Sequence, residues 1–483
     1  MKNPKAMTLF VLAAMLLSSC GTAVSEVAEA TETQAQTTAE TEPAETEVQD
    51  DLPDKKFDGR EFHILSVNYC LQDYDVHEET GALMNDATYA RNLTVEERFG
   101  VKLKTVDGGD HSPTNAVARN AIYAGDTAHD LIVNHMIDTA TLSAEGVFAE
   151  IGGLKYIHPQ KPWWNASAYE NLSVKGKTYI LAGDISPYYM KYNYVLYFNK
   201  NLAEDYNISD EELYSEALAG KWTFDRFNAL AAGVYKDLNG NGTADAEDLY
   251  GQTQQNSSYI TPYLYSFGET TVQMDKEGIP QLSVNTEKFA AMTEKLYKMM
   301  YESESTLPSD NWTTHKDTFM SGRALFMNGP LTSASGSFAE MEDDFGMLPM
   351  PKWDEAQEEY HTMADGSAPL AAIPQTVKDT EFVGIVTEAL AAESYRQITP
   401  VLYEVSLKYR GARDQMSMEV IDIAIRTGVV DFGYVFGDYS MMGFCLSELM
   451  SKKNVNFASY YAENKAKWET RVSDVVKAFT EEK

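Results

Sequence analysis

The chain is 483 residues long, and 73 acidic side chains against 39 basic ones leave it a formal net charge of −34. Such a surface excludes nucleic acid or an anionic membrane face as a partner, because both demand a cationic patch. Its three cysteines show no CxxC or Cys/His spacing, which excludes a finger-type zinc site.

The chain opens "MKNPKAMTLFVLAAMLLSSC", with Lys2 and Lys5 before an apolar run and then small residues, the layout of a secretory signal over residues 1–19. The run is too short for a membrane span. Leu17-Ser18-Ser19-Cys20 resembles the bacterial lipobox, which implies that Cys20 is lipidated and becomes the mature N-terminus, with acyl chains that anchor the protein to a cell membrane. Residues 20–56 are rich in Ala, Thr and Glu, with neither base nor aromatic residue as far as Asp51, and predict a disordered acidic tether. Ordered structure is expected from Phe57, leaving enough chain for two domains of about 200 residues. No later run of 18 apolar residues occurs, so the body is expected to be soluble.

"REFHILSV" alternates as a strand. Apolar Ala87, Ala90, Leu93, Val95 and Phe99 then recur at helical spacing, Gly100 stops the helix, and "VKLKTV" alternates again, giving a βαβ unit. "AHDLIVNHM" adds a short apolar strand, and "GVFAEIGGL" closes an α/β domain whose ligands belong at the carboxyl ends of its strands. A second such pattern starts at "YNYVLYFNKNLAEDY", passes through "WTFDRFNALAAGVYKDL" and returns to a strand at "GRALFMNGP"; from Phe382 the chain is mainly helical.

"DLNGNGTADAED" (237–248) carries oxygen donors at positions 1, 3, 5, 9 and 12 with Gly242 at position 6, the pattern of an EF-hand calcium loop. Asp237, Asn239, Asn241, the Thr243 carbonyl and Asp248 are the expected ligands, with Asp245 at the position that often works through water. Only one such loop exists, so a structural Ca2+ that staples a surface loop is expected. No phosphate-loop, dinucleotide, zincin or nucleophile-elbow motif occurs. Glycosidase carboxylates need no local motif, so a secreted, calcium-stabilised glycoside hydrolase is the alternative reading. Whether Cys70 and Cys445 pair is left open by their spacing.

The succession "ARNLTVEERFGVKLK", "HDLIVNHM", "VKGKTYILAGDIS", "YFNKNL", "WTFDRFNALA", "GRALFMNGP", "FGMLPMPKW" and "APLAAIPQTVKD" resembles the extracellular solute-binding proteins of bacterial ABC importers, in particular the sugar-binding group similar to maltodextrin-binding protein. The resemblance runs through most of Phe57 to Lys483. It implies a two-lobed periplasmic-binding-protein-like α/β fold with discontinuous lobes and a hinge: residues 57–190 plus 344–392 in one lobe, 191–343 plus 393–483 in the other. It implies no catalysis, a monomer outside the cytoplasm, a carbohydrate as the solute, and the importer's permease subunits as partners.

Sugars present hydroxyl edges and apolar CH faces, so their sites combine amides or carboxylates with aromatic platforms. Carried onto this chain, the family's cleft positions are Asn68 and Tyr69 after the first strand, Asn134 and Asp138 in "DLIVNHMID", Tyr188 and Tyr192 at the first crossing, Asn256 and Tyr259 before Pro262, and Asn328 in "NGP". Where maltodextrin binders continue with a stacking Trp, this chain has Leu331, and Tyr434 is the expected substitute. Trp163 and Trp164 are read as packing residues.

Overall fold

The alternation in "REFHILS" becomes β1 (Arg60–Ser66), with Phe62, Ile64 and Leu65 buried. "VKLKTVD" becomes β2 (Val101–Asp107), which buries Val101 and Leu103 and exposes Lys102 and Lys104. Between them α1 (Leu83–Phe99) ends at Gly100, whose φ of 60° is a left-handed turn that side chains with a β-carbon rarely adopt. Helix α2 (His111–Tyr123) leads to β3 (Leu131–His135), and α3 (Met136–Glu145) follows without a loop. Strand β1 is central and parallel to both neighbours, Phe62 opposite Leu103 and Leu65 opposite Ile132. These contacts belong to a computed structural model that describes residues 48–407, 415–437 and 442–481; the expected signal 1–19, Cys20 and the tether to residue 47 lie outside the described residues.

The second sheet contains β4 (Tyr194–Asn199), β5 (Tyr235–Lys236), β6 (Leu249–Gln255), β9 (Thr306–Ser309), β10 (Ala324–Pro330) and β11 (Phe345–Pro349), with a hairpin of β7 (Val272–Met274) and β8 (Pro280–Leu282) outside it. Strand β4 is buried along its whole length because both faces are covered, which is why it reads as an apolar run rather than an alternation. It is antiparallel to β10 and β11, so that Leu196 stands opposite both Asn328 and Leu348. Strand β6 runs parallel to β10 and β9.

The chain leaves the first sheet through the turn Pro187–Tyr192 and enters β4. Its return is later than expected. The expected bounds put β11 in the first lobe from Asp344 onward, yet it hydrogen-bonds β4 in the second sheet. After β12 (Thr362–Met363), which pairs with β14 (Gly428–Val429), the chain rejoins the first sheet at β13 (Pro369–Ala372), antiparallel to β3. The third change is also later than Glu393. The helix Thr380–Gln397 runs past it along α1, with Gln397 Nε2 donating to Thr94 Oγ1 at 3.2 Å, and the helix Thr399–Leu407 still packs on α1. A further correction concerns the tether's end. Asp50 is buried, its carboxylate accepting from Arg98 and facing Arg396, so order begins ahead of Phe57.

Among the described residues an apolar core runs from Ile137 and Ala140 of α3 through Trp468, Val475 and Phe479 of the helix Phe457–Thr480 to Tyr263 and Phe289 of the second lobe. Cys70 and Cys445 are both buried and free.

Candidate functional site

One wall is built at the carboxyl ends of β2 and β3. Strand β3 ends at His135 and α3 begins at once, so His135 and Asp138, three residues apart across the junction, face the same way. Asp110 caps α2 and His111 is its first residue. Asp138 Oδ2 lies 2.7 Å from His111 Nδ1 and 3.4 Å from His135 Nδ1. Tyr69, half-buried, approaches from the end of β1; its hydroxyl makes no hydrogen bond and is held well above its ordinary pKa by burial, then by the neighbouring Cys70, Tyr192, Asp365 and Asp110.

The facing wall comes from the chain's two passages between sheets. Asp365 stands just before β13: its N–H donates to the Tyr192 carbonyl at 2.9 Å, and its Oδ2 accepts from Tyr194 Oη at 2.8 Å. Tyr259 meets the Tyr194 ring edge-on at 5.4 Å and the His315 ring at 4.8 Å. Burial lowers His315 to a pKa of about 4, so it is neutral and donates from Nε2 to the Asn328 carbonyl at 3.0 Å. Residue 366 is crowded by the site: a β-carbon there would stand 2.9 Å from His135 Nε2 and 3.1 Å from Tyr434 Oη, so a larger residue would displace these side chains. Burial, then Asp138, Asp365, His111 and Asp110, sets His135's charge, and on balance it is shifted towards the neutral form.

The structure therefore gathers Tyr69, Asp138, Tyr192, Tyr259 and Tyr434 around Asp365. Asn134 and Asn328 stand behind them as braces: both are buried, Asn134 Nδ2 donating to the His111 carbonyl at 3.0 Å and Asn328 Nδ2 to the Tyr259 carbonyl at 2.6 Å. Asn68 lies exposed at the rim. Two expected residues are elsewhere. Tyr188 turns towards Lys191, whose ammonium lies 4.7 Å above its ring, and Arg91. Asn256 fastens the end of β6, accepting on its carbonyl from Ser451 Oγ at 2.8 Å and reaching Tyr301 with its side chain. His111, His135, Tyr194 and Asp365 are site residues that the sequence reading missed.

Behind the first crossing lies a buried charge network. Arg91 donates to Ser394 Oγ at 2.7 Å, to Asn92 Oδ1 at 2.8 Å and to the Asp73 carbonyl. Burial raises the Asp73 carboxyl to a pKa of about 7, with Arg91 and the Ser186 hydroxyl opposing. Trp163 and Trp164 pack as expected, and both indole N–H groups donate to the buried Glu388 carboxylate, at 3.0 and 2.9 Å. The backbone of Gly183 passes so close that a β-carbon would sit 2.3 Å from the Trp163 carbonyl.

The loop 237–248 folds inward. Asp237 accepts from the Gly240 and Gly242 N–H groups at 2.7 and 2.9 Å, and both glycines have left-handed φ. Asp248 is buried, accepting from Leu238 N, Asp245 N and Tyr235 Oη. Asn239 and Asn241 direct their amide N–H groups at Asp245. The oxygen-rich donor set fits a hard cation such as Ca2+, with amide rotation turning the two Asn oxygens inward.

No protein-family model and no curated protein matches the chain. Solved structures do. The maltose/maltodextrin-binding domain of Bdellovibrio bacteriovorus, bound to maltotriose, is 12% identical with a TM-score of 0.53, over 87% of this chain and 100% of that one. The ABC substrate-binding protein of Listeria monocytogenes in complex with cycloalternan is 12% identical, TM-score 0.52, over 87% and 99%. UgpB of Mycobacterium tuberculosis, in complex with glycerophosphocholine, is 12% identical, TM-score 0.56, over 86% and 98%. The likeness is one of fold: the chain is a two-lobed, periplasmic-binding-protein-like α/β protein with the architecture that these solute-binding proteins share.

Proposed function

We propose that the chain is an extracytoplasmic solute-binding protein that closes over a carbohydrate and presents it to the permease of an ABC importer, without catalysis of its own. The observation that carries this reading is the polar and aromatic cluster around Asp365, assembled from both lobes at the chain's passages between them. Carboxylates and tyrosine hydroxyls suit sugar hydroxyls, tyrosine faces suit sugar CH surfaces, and lobe closure would trap the solute. The sugar ligands of the Bdellovibrio and Listeria structures support a saccharide. Calorimetric titration against mono- and oligosaccharides is expected to find one bound at micromolar Kd or tighter, about −8 kcal/mol. Tyr192→Ala should weaken it at least tenfold. A panel in which no saccharide binds would refute the carbohydrate reading.

On the same reading the protein is a monomer held to the cell membrane by lipid on Cys20, and Ca2+ in the 237–248 loop staples that loop. Calcium bound to the native state stabilises it by mass action. Millimolar calcium should raise the melting temperature of the wild type by several degrees and that of Asp237→Asn by much less. The Asn variant is chosen because it keeps the size of the side chain and one of the two oxygens that accept from Gly240 and Gly242. Equal melting of the wild type in chelator and in calcium would leave the loop a metal-free turn.

A further inference from the structure

We propose that His111, His135 and Asp138 form a binding site for a transition-metal dication of the zinc class on the first-lobe wall of the cleft. The proposal goes beyond solute binding and does not rest on it. Among the described residues these three bring their ligand atoms together within 4.8 Å of one another. The two imidazole rings lie 4.9 Å apart, tilted by 33°, and each turns its Nδ1 to the same oxygen of Asp138, at 2.7 and 3.4 Å. Donors sharing an ion at bond lengths of about 2.0–2.2 Å stand about 3.4 Å apart in a tetrahedron, so small side-chain rotations suffice.

Three further features mark a built site. Beyond its 3.4 Å approach to Asp138, the buried His135 Nδ1 makes no hydrogen bond, a state that a buried polar atom rarely keeps without a ligand. The ligands are braced from behind: Asn115 Nδ2 reaches the other Asp138 oxygen at 3.4 Å, and Asn134 Nδ2 holds the His111 carbonyl at 3.0 Å. The carboxylates of Asp110 and Asp365 act on His135 as well, so the surroundings favour a dication. Two imidazoles and one carboxylate suit Zn2+ or Co2+ rather than Ca2+ or Mg2+, which take all-oxygen shells. Three protein donors leave one tetrahedral position for water or a solute atom.

The test uses the full chain after chelator dialysis, titrated with Zn2+ in saturating calcium so that the 237–248 loop does not compete. Stoichiometric binding with a Kd in the micromolar range or tighter is expected. His111→Gln and Asp138→Asn should each weaken it at least tenfold, while Asp237→Asn should leave it unchanged. Co2+ bound by the wild type should show visible absorption of a low-coordinate N/O site, absent from His111→Gln. Circular dichroism establishes that each variant is folded. Absence of tight Zn2+ binding in the wild type, or equal Zn2+ affinity in folded His111→Gln and wild type, would overturn the proposal. Zinc binding is read without any sugar, so its outcome is separate from that of the saccharide panel.

Discussion

Arg91→Met is expected to lower the free energy of unfolding by about 3–5 kcal/mol, because it leaves several buried acceptors without a donor and a buried carboxyl without an opposing charge. The lost guanidinium leaves the Asp73 carbonyl, Asn92 Oδ1 and Ser394 Oγ without their donor, and the Asp73 carboxyl without the cation that acts on it most strongly. The pH dependence identifies the mechanism. The Asp73 carboxyl is raised to about 7 in the folded protein, so its contribution to stability is fully present below its unfolded pKa of about 4 and is lost as pH rises through 7. Without Arg91 that pKa climbs further and the loss continues at higher pH. Urea unfolding should therefore show a gap between wild type and variant that is wider at pH 8.5 than at pH 6. Adding Asp73→Asn should remove the pH-dependent part of the gap. A gap that is constant with pH would mean that only packing was lost.

Glu388→Met is the second large effect. The carboxylate accepts from both indoles and from the His158 N–H, at 3.2 Å, and its Oε1 faces His158 Nδ1 at 3.1 Å. Each buried donor left unsatisfied costs about 1–3 kcal/mol. Because one acceptor serves them all, the costs do not add, and a loss of about 3–5 kcal/mol is expected. Glu388→Gln keeps one acceptor oxygen and should lose less. Denaturant midpoints for the two variants check this; a loss below about 1 kcal/mol for Met would mean that water satisfies the indoles. The Trp163 carbonyl accepts from Asp184 N at 2.8 Å, so the same variant should also loosen the entrance to the first crossing.

Elements whose periodicity reports their surroundings were legible in the sequence. Strand β2 alternates because one face meets the core while Lys102 and Lys104 meet solvent, the apolar residues of β1 are buried on both faces, and α1 stops at a glycine that must turn left-handed. Strand β11 is different. "FGMLP" is buried at every position, and a uniformly apolar run carries no information about which sheet it joins. The site shows the same division. Asn134 and Asp138 pointed to the right strand end, but the residue between them that faces the cleft is His135, and its spacing of three from Asp138 at a strand–helix junction was the available signal. Asp365 had none: "ADGSA" reads as a turn, and its importance comes from Tyr192 and Tyr194, which only the fold brings to it. Tyr194 itself looked like core because it lies in a continuous apolar strand.

The late return of the chain to its first sheet also sets an order of events in folding. Strand β3 pairs with β1 on one side but gains its second neighbour only when β13 arrives, Ile132 pairing with Ala372, and the second sheet's six strands all lie between the two in sequence. Until that distant segment is synthesised, β3 presents an open hydrogen-bonding edge, and the helix Thr380–Gln397 that packs on α1 is missing too. Such a long loop closure slows acquisition of the native state and keeps the nascent amino-terminal half from locking early. A chain that matures late in this way stays threadable for longer, and a single cut between β11 and β13 would separate the first sheet from its last strand.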